Sequence, residues 1–392
     1  MTPNEGLRVA LSQARQQTDS LFDLVHPAAL YERPIPERHR IIFYLGHLEA
    51  FDWNLLSGAL DLPAFHASFD QLFSFGIDPG SQDLPTDQPA DWPAADEVRA
   101  YIARVRSGLH TALAQAPARL LHVAIEHRLM HAETFAYMLH HLPFAQKTPP
   151  ASAAMAPSGP APQMRMVEIP GGTATLGQKR DGGFGWDNEF EQHQVAVPAF
   201  SIAQYKVTNG DYLEFVKAGA AAPHFWTCRQ GRWCYHGMFE DIPLPPDWPV
   251  YVSLNEAQAY ARWKGMSLPT EAQFHRAAYH GGADEAAAFA LENVDFRSWD
   301  PEPVTASPRN ALGVSQMVGN GWEWTATRFE PFAGFEPFPF YPGYSANFFD
   351  GQHYVLKGGS PRTAGCLLRP SFRNWFRPAY PYIYATFRLV EN

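Results

Sequence analysis

The segment QKTPPASAAMAPSGPAPQ, residues 146–163, separates two parts of the chain that differ in composition. Pro, Ala and Ser dominate it and no hydrophobic period passes through it, which is typical of a semi-extended linker. Ten of the 16 histidines precede it, whereas nine of the 11 tryptophans follow it. In a chain of 392 residues, we therefore predict two domains, 1–145 and 164–392, joined by this linker.

The part before the linker has a helical pattern. Apolar residues recur at steps of three and four in four stretches, at about 7–25, 39–60, 98–113 and 118–141. The fourth should stop before Pro143, because a residue that precedes proline disfavours helical dihedrals. Four prolines predict a long loop over 76–95. Four amphipathic helices indicate a four-helix bundle.

The part after the linker has few helical patterns. Val195 to Ile202 alternates and predicts one short strand. Thr208, Ser253 and Thr270 each precede an acidic or amide residue by three positions, which is capping-box spacing and predicts three short helices. The remainder is rich in aromatic residues, Gly and Pro. We expect an α+β domain with much irregular structure.

Composition excludes several classes of protein. Lys and Arg number 30 against 40 Asp and Glu, and without a basic run nucleic-acid or anionic-membrane binding is not expected. No stretch approaches 18 apolar residues, and the polar N-terminus does not resemble a signal peptide. Three cysteines cannot all pair within the chain. We expect a soluble, cytoplasmic protein that acts on small molecules.

The clearest chemical signal is His127-Arg-Leu-Met-His131 in the fourth predicted helix. Residues four apart lie on one helix face, so both imidazoles can bind one metal ion. His47, among apolar and aromatic neighbours, is the best third ligand, although spacing alone also allows His66, His122, His140 and His141. Three imidazoles leave open positions, as catalytic sites require. The spacing does not distinguish iron from zinc, and Glu133 lies off the metal-facing stripe.

Five segments of the C-terminal part resemble the formylglycine-generating-enzyme-like domain, whose fold is related to C-type lectins. They appear in that family's order: VPAFSIAQYKVTNGDYLEFV (197–216), SLPTEAQFHRAA (267–278), GVSQMVGNGWEWTAT (313–327), VLKGGSPRT (355–363) and RPSFRNWF (369–376). We assign Trp322, Glu323 and Trp324 of the third segment to the fold, because this block recurs in domains with unrelated chemistry.

The N-terminal part resembles the DinB-type four-helix bundle. The two domains in this order are similar to the sulfoxide synthases of ergothioneine and ovothiol biosynthesis. The resemblance implies that His47, His127 and His131 bind non-haem iron(II). It also implies that dioxygen is a co-substrate, and that a sulfur atom is joined to hercynine, the trimethylated betaine of histidine.

Further roles follow from the same resemblance, position by position. Tyr341 matches a tyrosine that protonates the reduced oxygen species, and a phenol with its usual pKa is protonated at neutral pH. Tyr344 matches a pocket residue. Asn374 and Trp375 match the pair that helps hold hercynine, and an aromatic face suits its quaternary ammonium group. For each, a structural role in a loop-rich domain is the alternative.

The chain departs from the common family pattern where the sulfur donor binds. Phe376 replaces an aspartate, Met130 replaces a glutamine seen in some relatives, and residues 76–98 contain no Lys or Arg. A site without these charges favours an uncharged, hydroxyl-rich donor over cysteine or γ-glutamylcysteine. This is similar to the selenoneine synthase branch, which joins selenoglucose to hercynine to give a hercynyl selenoxide. Sulfoxide formation from a thiol is the alternative.

Two other classes of protein remain open from the residues alone. A formylglycine-generating oxidase would need a copper-binding cysteine pair, for which Cys228, Cys234 and Cys366 are the available thiols. A non-enzymatic protein would use the bundle as a scaffold and the second domain as a binding module. The three histidines and Tyr341 argue against the latter.

Overall fold

The chain forms two units, residues 1–151 and 152–392, in a computed structural model that describes residues 3–74, 84–151, 153–279 and 292–391. The boundary falls inside the segment 146–163. On one side, Lys147 forms a β-bridge with Val25. On the other, the Ser158 hydroxyl donates a 2.6 Å hydrogen bond to Asp247. The two ends of this segment are therefore each attached to their own unit.

The first unit is helical. Its α-helices are α1 (Pro3–Phe22), α2 (Ile41–Leu56), α3 (Ala67–Leu72), α4 (Ala95–Ala112) and α5 (Ala118–His140). Helix α1 packs against α5, and α2 packs against both α4 and α5. The four long helices confirm the predicted bundle, and α3 is a short addition. Of the predicted loop, residues 76–83 lie outside the described residues, and the rest contains a 3-10 turn, Pro89–Asp91.

Helices α2 and α5 form the interior of this bundle. Helix α1 buries a stripe, Leu11, Ala14, Thr18 and Leu21, and leaves its other faces to solvent. Helix α2 instead buries residues on every face, including the polar side chains His47, Glu49 and Asp52. Polar side chains enclosed in this way require partners within the protein, since burial without them is costly. A backbone carbonyl and buried arginines of the bundle supply these partners.

The described residues of the second unit form four small sheets. Its strands are β1 (Met166–Ile169), β2 (Gly172–Leu176), β3 (His193–Val197), β4 (Phe200–Ala203), β5 (Trp226–Arg229), β6 (Arg232–His236), β7 (Asp241–Pro243), β8 (Trp322–Arg328), β9 (Tyr354–Lys357), β10 (Asn374–Phe376), β11 (Ala385–Thr386) and β12 (Val390–Glu391). They are ordered β1-β4-β12, β10-β9-β8-β11, β2-β3 and β5-β6-β7. This is the α+β architecture expected from the sequence.

One predicted strand is wrong. Residues Val195 to Ile202 belong to two strands, β3 and β4, which lie in different sheets. Pro198 separates them, because its nitrogen has no hydrogen to donate to a sheet. The three predicted short helices are confirmed as α6 (Asn209–Lys217), α7 (Leu254–Lys264) and α8 (Glu271–Ala278), each with a capping box at its N-terminus.

A buried ion cluster lies beneath the four-stranded sheet. Glu323 on β8 accepts hydrogen bonds from Lys206 Nζ at 2.6 Å and from Arg388 Nε at 3.1 Å, and all three side chains are fully buried. The neighbouring Trp322 and Trp324 are also buried. These contacts support the structural assignment made for this block, since they join β8 to distant parts of the chain.

Candidate metal centre and aromatic cluster

Three histidines of the first unit converge on one point. Helix α2 contributes His47, and α5 contributes His127 and His131 from successive turns. One ligand atom from each lies within 4.8 Å of the others, and Nε2 of His47 is 3.3 Å from Nε2 of His131. Two nitrogens bound to one divalent ion at about 2.1 Å each would be separated by about 3.0–3.5 Å. The spacing of His47 and His131 therefore fits a shared metal ion, and His127 offers a third ligand atom within 4.8 Å of both.

A hydrogen bond sets the tautomer of His47. Its Nδ1 lies 2.7 Å from the backbone oxygen of Phe73, so Nδ1 donates and Nε2 has the lone pair. That lone pair faces the other two histidines. Nothing in the sequence pattern predicted this partner, since Phe73 follows the short helix α3 and contributes only its carbonyl.

Electrostatics keep the three imidazoles neutral. Burial lowers the pKa of His47 to about 4 and lowers those of His127 and His131 well below their usual range. The neighbouring histidines and the Arg128 guanidinium act in the same direction. A divalent metal needs neutral imidazoles as ligands, so the donor set present here fits such an ion.

Aromatic rings hold two of the imidazoles in place. Phe51 stacks on His127 with 3.4 Å between ring centroids, and Phe43 stacks on His47 at 4.9 Å. Phe43, His47 and Phe51 are spaced four residues apart on α2, so they form one face of the helix. The same four-residue spacing is visible in the sequence and marks the face that packs against the imidazoles.

A buried ion network joins α2 to α5 beside the histidines. Arg128, next to His127, donates to the backbone oxygen of Leu48 at 2.9 Å and to Asp52 at 2.8 Å, and it pairs with Glu49 at 3.0 Å. Arg15 and Arg106 also pair with these two carboxylates. The network fixes the register of the two helices that contribute the ligands.

The described part of the loop after α3 is held by two arginines. Asp87 accepts hydrogen bonds from the guanidinium groups of Arg33 and Arg40, and from Trp92 Nε1 at 2.7 Å. Arg40 donates further to the backbone oxygens of Tyr31 and Asp87, each at 2.7 Å. The basic groups beside this loop are therefore engaged by acceptors of the protein itself.

In the second unit, the tyrosines singled out from the sequence belong to an aromatic cluster. Tyr341 and Tyr344 lie 5.6 Å apart between ring centroids, and Tyr344 stacks on Trp186 at 3.9 Å. Burial, with a contribution from the Asp187 charge, raises the pKa of Tyr341 to about 12. The phenol is thus protonated at neutral pH.

Strand β10 contributes the other residues proposed to bind substrate. Trp375 packs edge-on against Tyr344 at 5.4 Å and stacks on Phe329 at 4.2 Å. The side-chain oxygen of Asn374 accepts a 2.9 Å hydrogen bond from the backbone N–H of Trp375. Phe376 stacks on Tyr380 at 5.4 Å. The structure therefore brings Tyr341, Tyr344 and Trp375 into one cluster.

The remaining sequence candidates are side chains of the first unit. Met130 is half-buried on α5, one residue before His131. Glu133 is buried and does not belong to the three-histidine group, in agreement with its position off that stripe. Trp186 contacts both tyrosines, and Asp187 contacts Ser345 beside them. They were not found from the sequence because a Trp-Asp pair in a loop has no periodicity or spacing that marks it.

Each of the two units matches a known protein family. Residues 10–144 match the DinB superfamily, and residues 152–392 match the sulfatase-modifying factor enzyme 1-like domain. Hercynine oxygenase from Mycolicibacterium thermoresistibile is 32% identical over 97% of this chain and 93% of that protein. Its namesake from Mycobacterium tuberculosis is 33% identical over 100% and 99%. This chain belongs to the hercynine oxygenase family.

Membership of the hercynine oxygenase family makes the chain an enzyme of the oxidase and sulfoxide synthase type. The second unit alone is also similar to the formylglycine-generating enzyme of Streptomyces coelicolor, 30% identical over 59% of this chain and 88% of that protein. Among the described helices, none has the length and apolar character needed to cross a membrane.

Cys228 and Cys234 do not form the pair that a copper-dependent oxidase would need. Cys228 on β5 is opposite Trp233, and Cys234 on β6 is opposite Thr227. Residues opposite each other share a face of the sheet and adjacent residues alternate, so Cys228 and Cys234 lie on opposite faces of their hairpin. This geometry argues against the formylglycine-generating oxidase alternative.

Proposed function

We propose that this hercynine oxygenase homologue joins hercynine to a selenosugar, with selenoglucose as the donor. The imidazole C–H bond and the Se–H bond break, and a C–Se bond forms. Dioxygen accepts four electrons, so that one oxygen atom becomes the selenoxide oxygen and the other leaves as water. Hercynine, the selenol and dioxygen thus give a hercynyl selenoxide and water, with atoms and electrons balanced.

The convergence of three neutral histidines is the observation that carries the proposal. His47, His127 and His131 would hold iron(II); His47 and His127 are buried, and the Phe51 ring stacked on His127 limits access by water. Bound iron(II) would supply the one-electron chemistry that activates dioxygen, with open positions for both substrates. The Phe73 carbonyl and the Arg128 network would keep the ligands in place without a metal.

In this proposal Tyr341 supplies the proton. Its hydroxyl is protonated at neutral pH, because burial and the nearby Asp187 charge raise its pKa to about 12. A phenol with that pKa donates a proton to a strongly basic reduced oxygen species and returns to the protonated form through water. The ring of Tyr344 packs between those of Trp186 and Trp375, so the surroundings of this tyrosine pair are apolar.

Asn374 and Trp375 would bind hercynine. The trimethylammonium group carries a charge that a tryptophan face attracts, and Trp375 is held by its stack on Phe329. Because the Asn374 oxygen already accepts from a backbone N–H, its NH2 group is the part that can donate to a carboxylate or an imidazole nitrogen.

The donor side is suited to an uncharged molecule. Phe376 and Tyr380 present stacked rings where an aspartate would otherwise bind an ammonium group. Arg33 and Arg40 are ion-paired with Asp87, so they are poor partners for a donor carboxylate. In the first unit, the half-buried Met130 next to His131 is likewise apolar. Sugar C–H faces pack well on such rings, whereas a zwitterionic amino acid loses hydration without gaining partners.

A direct assay tests the proposal. The enzyme loaded anaerobically with iron(II) is given hercynine, air and one donor at a time: selenoglucose, thioglucose, cysteine or γ-glutamylcysteine. Products are identified by mass, and His131→Ala is the control for metal dependence. We expect the hercynyl selenoxide of the sugar as the main product. A preference for γ-glutamylcysteine would contradict the selenosugar assignment.

The second candidate is sulfoxide formation from a thiol, which the names of the relatives favour. Proteins called ergothioneine biosynthesis protein 1 in Neurospora crassa and Schizosaccharomyces pombe are 27% and 28% identical to this chain. In the same assay, this candidate requires that a thiol donor gives product at a higher kcat/KM than selenoglucose does.

A further inference from the structure

The segment that contains both tyrosines has little support of its own. Residues 338–345 form turns rather than a helix or strand, with backbone hydrogen bonds from Tyr341 to Phe338 and from Tyr344 to Tyr341. These bonds are local and do not attach the segment to the rest of the unit. A proton donor needs a defined position, so other contacts must hold this segment.

Asp187 contacts both ends of the segment. Its buried carboxylate accepts a 2.5 Å hydrogen bond from the hydroxyl of Ser345, the last residue. Burial raises the pKa of this carboxyl, whereas hydrogen bonds from Ser345 and from the backbone N–H of Phe338, the first residue, act in the opposite direction. The preceding residue, Trp186, stacks on Tyr344 and faces the edge of Tyr341 at 6.4 Å.

Contacts of Glu189 hold the backbone around Asp187 in place. Glu189, two residues later, is fully buried and accepts from the backbone N–H of Trp186 at 2.8 Å. It also pairs with Arg369 and accepts from the Ser371 hydroxyl at 2.6 Å. Asp187 therefore lies in a stretch of backbone that long-range contacts hold, and from it the carboxylate contacts the segment 338–345.

We propose that Asp187 is a positioning residue that clamps the segment 338–345 and thereby places the hydroxyl of Tyr341 for proton donation. The inference rests on the role proposed above for Tyr341. The carboxylate has a second effect, since its negative charge beside Tyr341 disfavours the phenolate and helps keep the proton on the donor. Asp187 acts only through Tyr341 in this account and does not touch the reacting atoms.

A double-mutant cycle tests the proposal with Asp187→Ala, Tyr341→Phe and the combined variant, in the iron-loaded full chain with hercynine and selenoglucose. A misplacement of about 1 Å can cost about 100-fold in rate, so we expect Asp187→Ala to lower kcat by about 100-fold. In the Tyr341→Phe background the same change should lower kcat by less than about twofold, because the group that Asp187 positions is absent. Equal losses in both backgrounds would overturn the proposal.

Three further variants separate positioning from general damage. Asp187→Asn keeps a carbonyl acceptor for Ser345 and should retain kcat within about tenfold of wild type. Asp181→Ala changes an exposed aspartate nearby and should have no effect. If Asp187→Ala does not fold, Ser345→Ala removes one end of the clamp and replaces it in the cycle. If Asp187→Asn does not retain kcat, and the double-mutant cycle shows no coupling between Asp187 and Tyr341, then Asp187 has a purely structural role.

A spectroscopic measurement distinguishes failure of this inference from failure of the proposed function. The stacked Trp186 and Tyr344 rings contribute to near-ultraviolet circular dichroism, so releasing the segment should reduce that signal while the far-ultraviolet spectrum stays unchanged. If Tyr341→Phe leaves kcat unaltered, the role of Tyr341 is wrong, and a reduced signal in Asp187→Ala would still support the clamp. An unchanged signal in Asp187→Ala would reject the clamp itself.

Discussion

His127 and His131 lie one turn apart on a helix of 23 residues, whereas Tyr341 and Tyr344 lie in a segment of turns between β8 and β9. The imidazoles owe their convergence to helical periodicity and to the packing of α2 on α5. The phenols owe theirs to contacts with Trp186 and Asp187, about 150 positions earlier. One cluster is thus set by regular structure, and the other by long-range contacts between irregular segments.

The comparison predicts different responses to mutation. A ligand removed from a rigid helix leaves the helix intact, so only the metal is lost. A contact removed from a segment of turns allows the segment to shift, so the defined position of Tyr341 is lost.

Removal of a histidine should strongly weaken metal binding. His131→Ala should lower the affinity for iron(II) by more than about 100-fold. Mutation of residues that only support the ligands already lowers metal affinity by about 10–100-fold, and this variant removes a ligand itself. Anaerobic titration measures the affinity, and far-ultraviolet circular dichroism should remain that of wild type. His110→Ala, an exposed histidine on α4, is the control. Undiminished binding by His131→Ala would remove this cluster as a metal site.

Tyr341→Phe should lower kcat by about 10²–10⁴-fold, the usual contribution of a positioned general acid. Iron affinity should not change, since the ligands belong to the first unit. Single-turnover rates with saturating hercynine measure the effect. A variant with wild-type kcat would show that the proton comes from elsewhere, and the second cluster would then serve only to bind substrate.

The two buried ion clusters should differ in their tolerance of mutation. Glu323→Gln leaves Lys206 and Arg388 without an anionic partner, which should destabilise the protein by about 3–5 kcal/mol. Arg128→Met should cost less, because Arg15 and Arg106 still pair with Asp52 and Glu49. Urea unfolding of each variant measures the free energies. A larger loss of stability in Arg128→Met than in Glu323→Gln would contradict the view that the ion network around Arg128 is the more redundant of the two.

Phe376→Asp should change donor preference without changing the fold. The new carboxylate can pair with a donor ammonium group, so kcat/KM for cysteine relative to selenoglucose should rise by about tenfold, the equivalent of about 1.4 kcal/mol. Phe376→Leu keeps the site uncharged and is the matched control. An equal change in both variants would mean that lost stacking on Tyr380, rather than charge, governs the preference.

Much of the fold was predictable because local patterns determine it. Hydrophobic periods located the four long helices, and capping-box residues located α6, α7 and α8 within a residue or two. The single strand predicted across Pro198 was wrong because alternation of apolar residues does not report which sheet a strand joins. The short helix α3 has no strong period and was not predicted.

Helical pitch alone pairs His127 with His131, since residues four apart lie on one face. Composition and the order of segments predict two domains, 1–145 and 164–392. The third member of the cluster, His47, its tautomer set by Phe73, and the hydrogen bond from Ser345 to Asp187 are visible only in the folded chain. Those contacts join positions far apart in the chain, and no local property of a sequence specifies which distant residues will meet.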